Sequence, residues 1–166
     1  EVGSLKKGSI VVSTLSARTN AQAVASLASA GATALAMELV PRIARAQRMD
    51  VLSSQASIAG YKAVLLAANS LGKYLPMMMT AAGTIPPAKI LVLGAGVAGL
   101  QAIATARRLG AVVEAFDVRA AAGEQVESLG AKFIQPPAAE DAEGAGGYAR
   151  AQTEDEQAAQ REFLKG

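Results

Sequence analysis

Residues 89–117, KILVLGAGVAGLQAIATARRLGAVVEAFD, carry the clearest structural signal in the chain. Their apolar start, residues 90–93, is typical of a parallel strand that is buried on both faces. Gly94 then permits a tight turn, and Gly96 lets the backbone approach a bound group closely. Gly99 allows the next helix to pack against the strand. This spacing predicts a strand, a glycine turn and a helix in direct succession.

The remainder of the stretch completes a nucleotide-binding pattern. Residues 97–109 are predicted to be a helix stopped by Gly110, residues 111–116 form a second strand, and Asp117 follows that strand directly. The first turn of such a helix points unpaired N–H groups and its positive dipole end at the glycines, where a pyrophosphate can bind. A carboxylate after the second strand can accept both hydroxyls of an adenosine ribose and repels a 2′-phosphate. The pattern therefore predicts dinucleotide binding, with NAD(H) favoured over NADP(H).

Neighbours of these positions are predicted to contact the cofactor as well. Val97 and Ala98 belong to the glycine turn, whereas Val118 and Arg119 follow the acid. Arg119 does not fit the predicted preference for NAD(H), because its guanidinium could reach the 2′-phosphate of NADP(H). Two residues beyond Asp117, it is expected instead to form a solvated ion pair or to touch the edge of the cofactor.

Composition narrows the class of protein. A chain of 166 residues that is 51% hydrophobic and 18% charged has the balance of a soluble globular protein. A net charge of +2 is too small to indicate a nucleic-acid-binding surface. The sequence has no Cys and no His, so we predict no disulfide, no metal site and no histidine acid or base.

The longest apolar region, residues 63–85, is interrupted by Asn69, Lys73 and Pro76. These residues are costly inside a bilayer. We therefore expect a buried helix followed by a turn, and no transmembrane segment.

The chain is predicted to be α/β. Residues 1–54 are interpreted as the end of a preceding α/β domain, and residues 55–75 as an interdomain helix capped by Ser53 or Ser54. Residues 76–166 are interpreted as a partial Rossmann-type, doubly wound parallel sheet. Such a sheet normally has about six strands, and three are found from the glycine motif onward, so the others are expected outside this sequence.

The first of these regions has a strand–helix–strand pattern. Strands are predicted at residues 8–15 and 32–37, and an Ala-rich helix at residues 20–30 with Asn20 as its cap. Residues 41–54, PRIARAQRMDVLSS, form a polar loop rich in side-chain donors.

Residues 76–87 are predicted to be a linker whose three methionines, Met77, Met78 and Met79, pack adaptably under the nucleotide domain. The remaining predicted elements are a helix at 121–129, a strand at 131–134, a mobile glycine-containing loop at 138–150 and a solvated, charged helix at 154–165.

Three stretches of the sequence together resemble one family. They are AMELVPRIARAQRMDVLSSQASIAGYKAV, PMMMTAAGTIPPAKILVLGAGVAGLQAIATARRLGAVVEAFDVR, and EQVESLGAKFI with GGYA. The chain is similar over residues 8–163 to the NAD(H)-binding domain, domain I of the alpha subunit, of the proton-translocating nicotinamide nucleotide transhydrogenases. The segment RAQRMDVLSSQ makes the resemblance specific, since nucleotide-binding folds in general do not carry it. The resemblance implies a Re/Si-specific enzyme in which hydride passes directly between NAD(H) on this domain and NADP(H) on a partner domain.

The resemblance also implies roles for individual residues. Arg42, Asp50 and Ser53 match positions that orient the nicotinamide carboxamide and ribose. Gln47 matches a residue that reaches toward the second nucleotide, and Tyr148 matches the aromatic residue of a mobile loop that closes over the nucleotide. Hydride transfer between two nicotinamides moves no substrate proton, so a site without His is adequate.

Expected partners follow from the same resemblance. They are an NADP(H)-binding domain and a proton-conducting membrane domain, with a homodimer as the expected assembly. The expected location is the cytoplasmic face of a bacterial inner membrane, or the matrix face in a mitochondrion.

Two alternatives stay open. One is an alanine-dehydrogenase-like NAD-dependent oxidoreductase with its catalytic residues in a part of the protein that precedes this sequence, although RAQRMDVLSSQ argues against it. The other is a truncated module that binds a dinucleotide without turnover, which the expected absence of both flanking regions favours.

Overall fold

The computed structural model describes residues 2–135, 142, 144 and 149–165. It divides into two compact units, Glu1–Gln55 and Ala56–Gly166. Both units contain parallel strands connected through helices, which confirms the predicted α/β class.

The first unit is built on one strand–helix–strand motif. Strand β1, Ile10–Ser13, pairs in parallel with β2, Thr33–Ala36, and helix α1, Ala21–Ser29, connects them. Asn20 caps α1, because its side-chain oxygen accepts a hydrogen bond from the backbone N–H of Ala23 at 3.1 Å. The predicted elements and the predicted cap are confirmed. A short 3-10 helix, Val2–Ser4, precedes the motif.

The polar segment after β2 is more helical than predicted. Two further 3-10 helices lie there, at Met37–Leu39 and Ala44–Met49. The long helix α2, Val51–Ser70, then begins earlier than expected. The prediction that Ser53 or Ser54 caps it is wrong: Asp50 precedes α2, and its carboxylate accepts the backbone N–H of Ser53 at 2.9 Å. Aspartate is a preferred residue at this position for two reasons. Its carboxylate accepts a free N–H of the first turn, and its negative charge is stabilised by the positive end of the helix dipole.

Helix α2 is mostly exposed, which contradicts the expectation of a buried helix. Only Gly60 and Val64 are buried along Val51–Ser70, so the packed stripe is narrow. Length and apolar composition make α2 the one candidate membrane span in the described part of the chain. This is weak evidence by itself, since core helices of soluble proteins have the same composition.

The region predicted to be a linker contains a β-hairpin. Strands β3, Met78–Thr80, and β4, Gly83–Ile85, pair antiparallel. The expectation that the methionines pack under the nucleotide domain is wrong: Met77, Met78 and Met79 are exposed, Met79 by 81%. A two-stranded hairpin leaves its side chains accessible to water, because two strands bury little surface.

The second unit contains the predicted Rossmann-type sheet. Its three parallel strands lie in the order β5, β6, β7, at Lys89–Leu93, Val112–Phe116 and Lys132–Ile134. The connecting helices are α3, Val97–Arg108, and α4, Ala122–Ser128. Helix α3 packs on β5 and β6, α4 packs on β7, and the two helices contact each other. They therefore cover the same face of the sheet, and the largest fully buried side chains there are Ile103, Val113 and Val126.

Strand β5 is buried on one face only, contrary to the prediction. Ile90 and Val92 pack against the core, whereas Leu91 and Leu93 are 45% and 64% exposed. Alternate residues of a strand point to opposite faces. Since α3 and α4 cover one face, the apolar run of β5 is only half covered in the described part of the chain.

The last helix is held by a compact set of polar contacts. Helix α5, Glu154–Phe163, starts with a capping box in which Thr153 and Glu156 satisfy each other's backbone N–H groups. The guanidinium of Arg150 donates to the Glu156 carboxylate at 2.6 Å. These bonds lower the pKa of Glu156 to about 2. The predicted charged helix is confirmed, whereas most of the predicted mobile loop, 138–150, lies outside the described residues.

We predict that Gly60→Ala destabilises the protein. A Cβ at Gly60 would overlap the backbone carbonyl of Ala98, in the first turn of α3, and a backbone carbonyl cannot rotate away as a side chain can. The overlap costs about 1–3 kcal/mol, which exceeds the gain of roughly 1 kcal/mol from replacing glycine in a helix. Gly72→Ala, just beyond the end of α2, is the control, since a Cβ there meets no atom of the described residues within 4 Å. Thermal unfolding measures both, and equal melting temperatures would contradict the close approach.

We also predict an acid-sensitive start of α5. The folded-state pKa of Glu156, about 2, lies below its ordinary value of 4.5, so its stabilisation is complete above pH 4.5 and is lost as the pH falls toward 2. Glu156→Gln should reduce the protection of the amide proton of Gln157 in hydrogen exchange and remove that pH dependence. Glu162→Gln, which removes the same charge from an exposed ion pair, should leave both unchanged. Equal behaviour of the two variants would rule out the capping role.

Candidate functional site

The glycine turn between β5 and α3 has the predicted geometry. Gly94 has a φ of +93°, a conformation that favours glycine, and its N–H donates to the carbonyl of Phe116 at 2.7 Å. A Cβ at Gly99 would overlap the carbonyl of Gly94. The turn can close against the start of α3 only because neither residue has a side chain.

The N-terminus of α3 is open to a ligand. Gly96 is the residue before the helix, and no side chain caps the helix at that position. A Cβ placed on Gly96 meets no atom of the described residues within 4 Å, so among these residues the space beside the backbone is clear. The first N–H groups of a helix have no intrahelical acceptor. Val97 and Ala98, in this first turn, therefore present backbone donors where a pyrophosphate can bind.

Asp117 is buried directly after β6. It is 5% exposed, and its Oδ2 accepts the backbone N–H of Ala95 in the glycine turn at 2.7 Å. Its Oδ1 accepts the backbone N–H of Arg119 at 2.9 Å. The carboxylate therefore ties the turn after β5 to the turn after β6.

Arg119 adds two side-chain bonds to the same carboxylate. Its Nε donates to Oδ1 at 2.9 Å and its Nη2 donates to Oδ2 at 2.8 Å. Burial raises the pKa of Asp117, but the hydrogen bonds from Arg119 and Ala95 and the charge of Arg119 outweigh burial and lower it. The side chain of Arg119 is 19% exposed, so the ion pair is partly buried rather than solvated as predicted.

The second group of predicted residues lies in the first unit, around the start of α2. The hydroxyl of Ser53 donates to Asp50 at 2.6 Å. The pKa of Asp50 is lowered by the hydrogen bonds of the Ser53 side chain and backbone and by the positive charge of Arg42. Asp50 and Ser53 are therefore in direct contact, and the cation of Arg42 acts on Asp50 through its charge. Gln47 is exposed on the adjacent 3-10 helix, and its carbonyl accepts the Asp50 N–H at 3.2 Å.

The other predicted contacts have separate positions. Val118 is half-buried after Asp117, and its carbonyl accepts the N–H of Ala142, which is itself fully buried. Tyr148 lies outside the described residues. The roles assigned to these residues remain predictions.

Two polar residues near these groups were not predicted. Glu38 accepts the backbone N–H groups of Leu15 and Ala17 at 3.0 and 2.8 Å, and these bonds lower its pKa. It thereby fixes the loop after β1. Gln135 follows β7 at the carboxyl edge of the sheet, and its Nε2 is buried without a hydrogen-bond partner in the described structure. Its position directly after a predicted parallel strand is a signal that the sequence contained.

Comparisons with known proteins cover nearly the whole chain. Residues 1–59 match the family model "Alanine dehydrogenase/PNT, N-terminal domain", and residues 63–164 match "Alanine dehydrogenase/PNT, C-terminal domain". The chain is 59% identical over 152 residues to a Rhodospirillum rubrum protein that is named as one portion of NAD(P) transhydrogenase subunit alpha. That match covers 90% of this chain and 40% of that protein.

Solved structures also show similarity to a transhydrogenase and to an alanine dehydrogenase. A transhydrogenase from Sinorhizobium meliloti matches with a TM-score of 0.78 and 63% identity, over 81% of this chain and 40% of that one. An L-alanine dehydrogenase matches with a TM-score of 0.63 at 24% identity, over 80% and 38% of the two chains, which is a likeness of fold alone. The chain thus spans about two fifths of the length of these relatives. Since one family model covers most of the second unit and another covers the first, this chain belongs to the alanine dehydrogenase/PNT family.

Proposed function

We propose that this chain is the NAD(H)-binding component of a proton-translocating, Re/Si-specific NAD(P) transhydrogenase. The proposal rests chiefly on one observation, the open N-terminus of α3 beside a closed glycine turn and the buried Asp117. The 59% identity to a transhydrogenase alpha subunit supports the choice of reaction.

The residues present fit a dinucleotide. The clear space beside Gly96 and the uncapped amides of Val97 and Ala98 suit a pyrophosphate, which needs donors and close approach of the backbone. Asp117 and the following residues, Val118 and Arg119, suit the adenosine ribose.

Hydride transfer between two nicotinamides requires that the reacting rings be positioned, and it requires no transfer of a substrate proton. Bound NADH supplies a hydride from its nicotinamide, so NADH and NADP⁺ become NAD⁺ and NADPH without loss or gain of a substrate proton. We assign Arg42, Asp50 and Ser53 to the nicotinamide carboxamide and ribose, since an ionised carboxylate, a guanidinium and a hydroxyl provide both acceptors and donors. Gln47 is assigned to the second nucleotide, and its exposure supports this role. Tyr148 is assigned to a closing loop on the resemblance alone.

The partners in this proposal are an NADP(H)-binding domain and a membrane domain that couples hydride transfer to proton translocation. The chain would be peripheral to the membrane, on the cytoplasmic side in bacteria or the matrix side in mitochondria, and its assembly would be a homodimer. The Rhodospirillum rubrum relative is named as one piece of an alpha subunit, which supports a multi-subunit enzyme.

The proposal is tested by hydride transfer. NADH should bind to the protein and reduce an NADP⁺ analogue when an NADP(H)-binding partner is added. Reduction of NAD⁺ by L-alanine would instead favour an alanine-dehydrogenase-like enzyme, and NADH binding without transfer would favour a non-catalytic module. Failure to bind NADH would overturn the proposal.

We predict that NADH binds more tightly than NADPH and that Asp117→Asn reduces the difference. Removing a partly buried negative charge near a phosphate changes the relative affinity by about 1–2 kcal/mol. The control is Glu114→Gln, which removes an equal charge from a half-exposed carboxylate of β6. Fluorescence titration measures both cofactors. Equal or tighter binding of NADPH by the unmodified protein would contradict the assignment of Asp117.

We predict that Gln47→Asn slows hydride transfer strongly while NADH affinity stays nearly unchanged. A misplacement of about 1 Å between the reacting rings can cost roughly a hundredfold in rate, whereas one contact at an exposed position contributes little to affinity. Asp50→Asn should weaken NADH binding as well. The control is Gln22→Asn, the same change at an exposed position of α1.

Stopped-flow transfer with the NADP(H)-binding partner, and a separate NADH titration, measure the two quantities for Gln47→Asn. If affinity falls in proportion to the rate, Gln47 is an ordinary NADH ligand and its assignment to the second nucleotide is wrong.

A further inference from the structure

The carboxylate of Asp117 is fully occupied by donors. Oδ1 accepts the backbone N–H and the Nε of Arg119, and Oδ2 accepts the backbone N–H of Ala95 and the Nη2 of Arg119. An ionised carboxylate offers about four lone-pair positions. Each oxygen therefore holds one backbone donor and one guanidinium donor, and two ribose hydroxyls would find no acceptor position free.

The two kinds of donor differ in how easily they can leave. The N–H groups of Ala95 and Arg119 belong to the turns after β5 and β6, so withdrawing them would require the backbone to move. The guanidinium is carried by a long side chain that is 19% exposed. Rotation of a side chain, unlike withdrawal of a backbone N–H, does not require either turn to move. Departure of the guanidinium would release one position on each oxygen, which is the number that a pair of ribose hydroxyls needs.

We propose that Arg119 is an exchangeable occupant of the ribose site. Its guanidinium holds both oxygens of Asp117 until NAD(H) arrives, and the two adenosine ribose hydroxyls then take the two positions that it vacates. This inference rests on the proposed function. It makes Arg119 a competitor of NAD(H) for Asp117, in addition to any contact that it makes with the bound cofactor.

The exchange has opposite consequences for the two cofactors. The 2′-phosphate of NADPH replaces a hydroxyl donor with an anion, which Asp117 repels and the guanidinium attracts. Arg119 therefore works against NADH by competing with its ribose, and works for NADPH by neutralising Asp117 and pairing with the phosphate. Removing the guanidinium should strengthen NADH binding and weaken NADPH binding.

The experiment is titration of Arg119→Ala with NADH and with NADPH at pH 8, where Asp117 is ionised. We expect NADH to bind about 3–10-fold tighter and NADPH to bind weaker by a similar factor. This is the change in affinity expected when hydrogen bonds from neutral ribose hydroxyls no longer have to displace a partly buried charged pair. The charge-matched control is Arg161→Ala, an exposed position of α5, which should change neither affinity. NADH lacking the adenosine 2′-hydroxyl should gain less from Arg119→Ala, since it fills only one vacated position.

Arg119→Lys keeps the proposal testable if the alanine variant does not fold. An ammonium group cannot span both oxygens as a guanidinium fork does, so NADH should still bind tighter while NADPH changes less. If either variant weakens NADH and NADPH by the same factor, Arg119 is an ordinary ligand and the exchange is wrong. Unchanged NADH affinity would also overturn it. If the unmodified protein binds neither cofactor, the proposed function itself fails.

Discussion

The buried carboxylate of Asp117 organises the candidate nucleotide site. It joins the glycine turn, through the N–H of Ala95, to the turn after β6, through Arg119. The cost of burying a charge is offset here because the donors that it meets among the described residues are backbone amides and a guanidinium. Replacing Asp117 would therefore loosen two turns together, and the glycine turn would lose its fixed position at the start of α3.

The site is also shaped by close backbone contacts that only glycine permits. Gly99 lies against the carbonyl of Gly94, and Gly60 of α2 lies against the carbonyl of Ala98. Both contacts press on the segment that would hold a pyrophosphate. Because the interior of a protein is close-packed, an added methyl group would displace this segment rather than fill a gap. The glycines thus fix the open amides of α3 in place, and Gln135 adds a buried donor at the same edge of the sheet.

Much of the secondary structure was predictable, since α1, β5, α3, β6, α4 and α5 follow from local periodicity and stop signals. The errors have two causes. The exposed methionines of the β3–β4 hairpin and the half-exposed face of β5 depend on what covers a segment. The cap of α2 is instead a local choice between Asp50 and the serines that follow it. Asp50 and Ser53 were both recognised as site candidates, but their mutual bond shows that Asp50, not the serine, fixes the start of α2.

Local sequence was sufficient to specify the glycine turn, the helix that follows it and the position of the acid, because φ preferences and hydrophobic period are local properties. It was also sufficient for the family, through the polar segment around Gln47 and the stretch ending at Asp117. The folded arrangement was needed to show that Arg119 covers both oxygens of Asp117 and that Gly60 meets Ala98. The contact of Gly60 with Ala98 arises from packing between distant segments, which no local pattern in the sequence specifies. Arg119 lies only two residues from Asp117, but its partly buried contact with both oxygens depends on the burial of Asp117 in the fold.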